Sequence, residues 1–229
     1  MDARLDVGGV IRRVFEIYVE QASVLMPAAA AVFVLTGIVA GLLVREGSGL
    51  AVVAFTIYFV AVTLFTGIVV RLVADVQDGR RDATAGQLLR SATPVLGQLI
   101  LVGVAAALGI AAGFVLFVIP GLILLTLWSV AAPVVVIENP GVFPALRRSR
   151  LLVAGNGLRV FAVIVILVVL VAVVGNVIVA VAASAGTAVG IVAWVIVGVL
   201  SAPLPALGAA VMYFELRTRV AAHEAPLAD

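Results

Sequence analysis

The sequence predicts an all-α, polytopic membrane protein: six transmembrane helices arranged as three hairpins, each preceded by a short cytoplasmic interfacial helix. Three observations carry that prediction. Apolar residues make up 65% of the chain and charged residues 11%, against about 25% charged in soluble domains. Apolar runs of 18 or more residues recur along the whole length, and each is long enough to span a hydrocarbon core of about 30 Å. Finally, thirteen of the fourteen arginines fall on alternate connections, as the positive-inside rule requires of cytoplasmic segments.

Residues 7–20 place Val10, Val14, Ile17 and Tyr18 on one helical face, with Arg12, Arg13, Glu16 and Glu20 mostly off it. This pattern reads as a helix lying in the membrane interface, with a solvated helix on a soluble partner as the alternative. The first apolar run begins near Ala22 and is too long for a signal-peptide core, so it is expected to remain as an anchor. Span one covers about 23–44, the polar turn 45–49 follows, and span two covers about 50–73. Gly37 and Gly41 form a G-x-x-x-G pair suited to close backbone approach. Arg71 and Asp75 are spaced to pair at the end of span two.

The connection 74–93 is the first substantial water-exposed segment. Thr84 is the expected N-cap of a short helix over 85–91, which Pro94 terminates. Span three covers about 95–118 and holds a second G-x-x-x-G, Gly109 and Gly113. No charge occurs from Val95 to Ile137, too long a stretch for one crossing, so the chain must turn inside it. Pro120-Gly121 is the turn signal. Span four then covers about 122–137 and is short, with Pro133 pointing to an irregular or tilted end. Glu138 and a Pro/Gly-rich corner lead to the helical ALRRSRLLV segment, and Gly155 is its expected C-cap. Spans five and six cover about 158–183 and 190–214. Residues 1–219 thus form a single six-helix domain, and 220–229 a short cytoplasmic tail.

An arginine-bearing short helix precedes each hairpin, in GGVIRRVF, AGQLLRSATP and FPALRRSRLL. Membrane electrostatics favours such helices beside anionic lipid, so the threefold recurrence does not require a sequence repeat of fixed period. Both termini are expected in the cytoplasm of a bacterial plasma membrane. All cations except His223 are arginine, a bias of composition without functional weight, and the absence of cysteine excludes disulfides and thiol chemistry.

Ile119-Pro-Gly121, Glu138, Ala145-Leu-Arg-Arg-Ser149, Gly155-Asn156 and Tyr213-Phe-Glu-Leu-Arg217 together give a pattern that resembles the glycerophosphoryl diester phosphodiesterase membrane-domain family and related stand-alone bacterial inner-membrane proteins of unknown function. The resemblance is strongest over 115–161. Two positions depart from it: Arg150 stands where an aromatic is common, and Gly157-Leu158 replaces the aromatic expected after Gly-Asn. The soluble phosphodiesterase domain that names the family has no counterpart in these residues, so the resemblance implies no such activity here.

An ionisable residue inside a membrane is a functional signal because burying it is costly. The central turns of all six spans carry none. No catalytic, cofactor-binding or metal-ligating residues are assigned; a cytoplasmic enzyme site built from Asp75, Asp78, Asp82 and Glu138 would have no recognisable ligand spacing. Asn176 is the most polar side chain deep in a span, and helix packing is the favoured reading over a cavity. Pro203 and Pro205 interrupt span six either as structural kinks or as the broken helix of a transport site. Glu138 is placed to pair with Arg147, Arg148 or Arg150 and so fix the short helix, while the same arginines beside Ser149 suit lipid phosphate or an acidic partner. The expected function is a non-catalytic scaffold, assembly or lipid-contacting module acting through its arginine-rich helices. The expected partners are the bilayer itself, anionic phospholipid, and a membrane or cytoplasmic protein, with no nucleic acid. The alternative is a small transporter or channel with a site near the proline-broken sixth span.

Overall fold

A computed structural model describes residues 5–45, 50–79 and 85–224. The turn at 46–49, the expected Thr84 cap, Arg80, Arg81, Asp82 and the last tail residues lie outside the described residues, as do the side chains of Gly41's neighbourhood and His223. The described residues form helices joined by short turns, without strands. In chain order the helices are α1 (Val7–Glu20), α2 (Ala22–Arg45), α3 (Ala51–Gln77), α4 (Ala85–Ala92), α5 (Leu96–Leu116), α6 (Val118–Leu127), α7 (Ala131–Glu138), α8 (Val142–Val153), α9 (Gly157–Ser184), α10 (Thr187–Ser201) and α11 (Pro203–Glu224). Five segments can cross a bilayer by length and composition: Val52–Gln77, Gly86–Leu116, Val118–Glu138, Gly157–Ser184 and Thr187–Ala221. Counting α1 with Ala22–Ile38, a pair bent by 83°, brings the number to six. The chain is a multi-pass membrane protein. Neighbouring helices α2 and α3, α5 and α6, and α9 and α10 pack along each other.

The turn between α5 and α6 is not at Pro120-Gly121. Phe117 makes it, with an extended backbone (φ −163°, ψ 156°), and its N–H bonds the Gly113 carbonyl at 3.0 Å. Pro120 and Gly121 instead belong to the first turns of α6, where a missing N–H costs no intrahelical bond. Gly121 is there for closeness: a methyl on it would enter the Phe114 ring, and a methyl on Gly113 would meet the Gly121 backbone at 3.0 Å. In the same helix a methyl on Gly109 would enter the Trp128 ring. The second G-x-x-x-G is thus the seam of the α5–α6 pair.

Span four breaks at Trp128–Val130, between α6 and α7, and span six breaks at Ala202, between α10 and α11. Pro133, Pro203 and Pro205 fall in the first turns of the helices that restart after these breaks. Each proline therefore occupies a position where its lost donor would have had no helical partner.

The densest packing lies toward the end of the molecule that holds the short helices. Val69, Val70 and Val73 of α3, Val134, Val135 and Val136 of α7, Ala145 and Val153 of α8, and Leu207, Val211 and Tyr213 of α11 are all buried. At the α5–α6 turn, by contrast, Val115 to Ile119 are exposed, as are Val181, Ile191 and Trp194 on the α9–α10 pair, which is how a lipid-facing surface is composed. Helix α1 departs from the expected arrangement. Its apolar stripe of Val10, Val14 and Ile17 is buried to within 2% exposure, and the helix packs on α11, α9 and α2. The hydrophobic period read as a membrane-facing stripe is spent on the protein's own helices.

Candidate functional site

The polar residues singled out in the sequence converge on the corner between α7 and α8. Helix α7 ends when Asn139 takes a left-handed conformation (φ 47°), and its N–H bonds the Val135 carbonyl at 3.1 Å. Asparagine tolerates this region better than other non-glycine residues. Gly141, at φ 94°, completes the reversal, and Pro144 sits in the first turn of α8. The corner brings α8 back alongside α7, so that two residues ten apart in sequence meet: Arg148 Nε lies 3.2 Å from Glu138 Oε2. The Tyr213 hydroxyl, from α11, donates to Glu138 Oε1 at 2.9 Å. Tyr213 itself is fully buried and packs edge-on against Phe214 at 5.1 Å. Glu138 therefore ties three helices together, with its charge neutralised and one oxygen occupied by a phenol.

Ser149, the next residue of α8, is fully buried, and its hydroxyl donates to the Leu127 carbonyl at 2.8 Å. Leu127 is the last residue of α6, where helices leave carbonyls without intrahelical donors. Trp128 and Ser129 N–H groups take the carbonyls of Leu124 and Thr126, and Ser149 supplies a donor for Leu127. The break in span four is thus capped from outside by α8. The break in span six is treated the same way: the Tyr18 hydroxyl of α1 donates to the Leu200 carbonyl, in the last turn of α10, at 2.9 Å. Neither cap was visible in the sequence, because Ser149 lies 22 residues from Leu127 and Tyr18 lies 182 residues from Leu200.

The two flanking arginines behave differently from Arg148. Arg147 and Arg150 are exposed on α8, and among the described residues neither forms an ion pair. Arg159, early in α9, donates from Nη1 to the Leu5 carbonyl at 3.1 Å, while the Leu5 N–H donates to Asn156 Oδ1 at 2.8 Å. The Gly-Asn restart therefore anchors the segment leading into α1, a contact between residues some 150 apart that sequence reasoning missed.

Asn176 is exposed, and its amide donates to the Ala172 carbonyl of its own helix at 2.6 Å, not to a neighbouring helix. Pro203 is buried and Pro205 exposed. The hydroxyls of Thr36, Thr63, Thr126 and Ser129 all donate to carbonyls within their own segments. Asp75 and Asp78 are engaged rather than free, and among the described residues no three His, Cys, Asp or Glu side chains cluster as a metal site would. Two apolar grooves open on the surface. One, about 260 Å³, lies between α6 and the start of α9; the other, about 340 Å³, lies near the α9–α10 turn beside Gly190 and Trp194.

Because the Ser149 bond satisfies a buried carbonyl, Ser149→Ala is expected to destabilise the protein by about 1–2 kcal/mol. Tyr18→Phe, at a less buried contact, is expected to cost about 1 kcal/mol or less. Thermal melts of the detergent-solubilised protein check both; equal, negligible effects would show that the broken spans need no external cap.

With this geometry established, sequence comparison finds a relative: the UPF0259 membrane protein PC1_1998 of Pectobacterium carotovorum subsp. carotovorum (strain PC1), 37% identical over 93 residues. The chain is similar to a bacterial membrane protein. The match covers 41% of this chain and 37% of that relative, so it spans well under half of either protein. No family model matches the chain, and no solved structure does.

Proposed function

We propose that the protein is a non-catalytic scaffold, assembly or lipid-contacting module of a bacterial plasma membrane, acting through its arginine-rich short helices, with both termini in the cytoplasm. The observation that carries this reading is the division of labour on α8. Glu138, Arg148 and Ser149 are committed to holding the helix in place, whereas Arg147 and Arg150 project outward without acidic partners among the described residues. A rigidly seated helix presenting guanidinium groups suits recognition of phosphate or carboxylate. Of the residues behind the resemblance to the phosphodiesterase membrane-domain family, Glu138, Arg148, Ser149 and Tyr213 meet at this corner. Residues 1–219 are read as one membrane domain.

Non-catalytic action is supported by the way the polar groups are used. Glu138, the acid at the corner among the described residues, is paired with Arg148, and the threonine hydroxyls inside the spans bond their own backbone. A transport site at the sixth-span break is the competing proposal.

Cross-linking with mass spectrometry in native membranes tests the choice. The expected result is a reproducible partner whose cross-links map to α8 and its neighbours, reduced several-fold in the Arg147→Gln/Arg150→Gln variant. Solute flux in proteoliposomes, with no partner and no dependence on these arginines, would overturn the scaffold reading.

A further inference from the structure

The three arginine-bearing short helices present different outer faces. Helix α8 buries Ala145, Leu146, Ser149, Leu152 and Val153 against the bundle. On its opposite side Phe143, Arg147, Arg150 and Leu151 are exposed, and their spacing of i, i+4, i+7 and i+8 puts them on one stripe. Phe143 is 78% exposed and Leu151 56%. Neither arginine forms an ion pair among the described residues. The outer face of α1 is built differently: Glu16 pairs with Arg12 at 3.7 Å and with Arg13 at 3.3 Å, and the exposed Val19 stands at the end of the helix, next to the bend into α2. On α4 the exposed side chains described are polar, Gln87, Arg90 and Ser91. Paired charges of both signs suit water. Phenylalanine and leucine alternating with uncompensated arginine is the composition of a helix seated in the membrane interface.

The course of the chain puts α8 at that depth. Val118–Glu138 and Gly157–Ser184 can each cross a bilayer, and α8, Val142–Val153, lies between them with a short corner on either side. Its 12 residues make a helix of about 18 Å, too short to cross a hydrocarbon core of about 30 Å. Both ends of α8 are therefore tethered to one surface of the membrane. Leu158, in the first turn of α9, is 86% exposed and heads an exposed apolar stripe with Val165 and Val169, so hydrocarbon-facing surface starts immediately after the α8 corner. At this level the aromatic and leucine side chains reach the acyl boundary, while arginine stems let the guanidinium groups remain among phosphates.

We infer that the outer face of α8 lies on the headgroup region of the protein's own bilayer, with Phe143 and Leu151 at the acyl boundary and Arg147 and Arg150 gathering anionic phospholipid. This rests on the proposed reading of α8 as a contact helix. It commits that helix to lipid and assigns the outer face of α1 to water.

The chain contains no cysteine, so single cysteines can carry a fluorophore in the full-length protein. Phe143→Cys and Leu151→Cys report on α8, Arg12→Cys on α1 and Ile191→Cys on the exposed face of α10. Each labelled protein is reconstituted in vesicles of phosphatidylcholine and phosphatidylglycerol, with bromine on the acyl chains of one lipid or the other. Fluorescence at 143 and at 151 is expected to be quenched by either brominated lipid, and at least about threefold more by phosphatidylglycerol at equal content, because both arginines act near the surface. Position 12 is expected to be quenched by neither, and position 191 by both equally. Adding Arg147→Gln/Arg150→Gln is expected to remove the phosphatidylglycerol preference at 143 and 151 while quenching by phosphatidylcholine persists. Quenching at 143 and 151 no greater than at 12 would overturn the inference, and so would equal quenching by the two lipids with the arginines intact. If either occurs while partner cross-links to α8 in native membranes still depend on Arg147 and Arg150, the lipid inference fails and the scaffold reading survives. Absence of both lipid preference and partner cross-links overturns both.

Discussion

Replacing Glu138 by alanine is expected to lower the melting temperature of the detergent-solubilised protein by about 4–8 °C, equivalent to about 2 kcal/mol for a chain of this size. The substitution removes the acceptor of the buried Tyr213 hydroxyl and the counter-ion of Arg148 in one step. Removing one partner from a buried pair typically costs about 3–5 kcal/mol because the other charge is stranded. Here the side chains of Arg148 and Glu138 are 35% and 24% exposed, so water offsets part of that cost. The Tyr213 hydroxyl has no such relief, since the residue is fully buried, and its lost hydrogen bond contributes about 1 kcal/mol or more. Glu138→Gln separates the two effects: the amide oxygen can still accept from Tyr213, but the charge is gone. The expected order of stability is wild type, then Gln, then Ala. A double-mutant cycle of Glu138→Gln with Arg148→Gln should yield a coupling of about 1 kcal/mol. Unchanged melting in both Glu138 variants would mean that α8 is held by its apolar contacts and Ser149 alone.

The sequence made the membrane class legible, because apolar length is set by the thickness of the bilayer, and the bilayer acts on each segment independently of the others. The stretches 158–183 and 95–118 are helical as α9 and α5, and the apolar segment that ends at Leu116 begins as early as Gly86. Breaks and contacts were less legible because they depend on what lies across the bundle. Phe117, not Pro120-Gly121, turns the chain, since a proline in a first helical turn is structurally inexpensive and so marks a start as readily as a reversal. The amphipathic period of α1 identified a helix with one apolar face, but a period does not say whether lipid or protein meets that face. Among the site residues, the nearness of Glu138 to the arginines in sequence made an ion pair foreseeable. Its choice of Arg148, and the third member Tyr213 from 75 residues away, required the α7–α8 corner and the packing of α11. The Leu5 contact with Asn156 and Arg159 had no local signature, because its partners are brought together only by the packing of α1 on α9.

The two G-x-x-x-G pairs, indistinguishable as sequence, are expected to respond in opposite ways to alanine. At Gly113 a new Cβ would lie 3.0 Å from both the N and Cα of Gly121. Those are backbone atoms of the facing helix, so relief requires α5 and α6 to separate rather than a side chain to turn. Overpacking of this kind typically costs about 1–3 kcal/mol, against a gain in helix propensity of about 1 kcal/mol from replacing glycine. Gly113→Ala is therefore expected to be net destabilising, and Gly113→Leu to prevent the pair from closing. Gly121→Ala provides an internal comparison, since its new Cβ would run into Cγ of Phe114, the fixed base of that ring, so relief requires the whole side chain to leave its rotamer. Its cost should accordingly be at least as large as that of Gly113→Ala. At Gly37 nothing lies within 4 Å of the added methyl, so Gly37→Ala should be neutral or stabilising by up to about 1 kcal/mol through propensity alone. Melting curves of the four variants, measured at two protein-to-detergent ratios, decide the matter. A destabilising Gly37→Ala whose effect grows with protein concentration would show that a second copy approaches this face of α2. A Gly113→Ala variant as stable as wild type would show that the α5–α6 seam is looser than backbone contact at Gly121 requires.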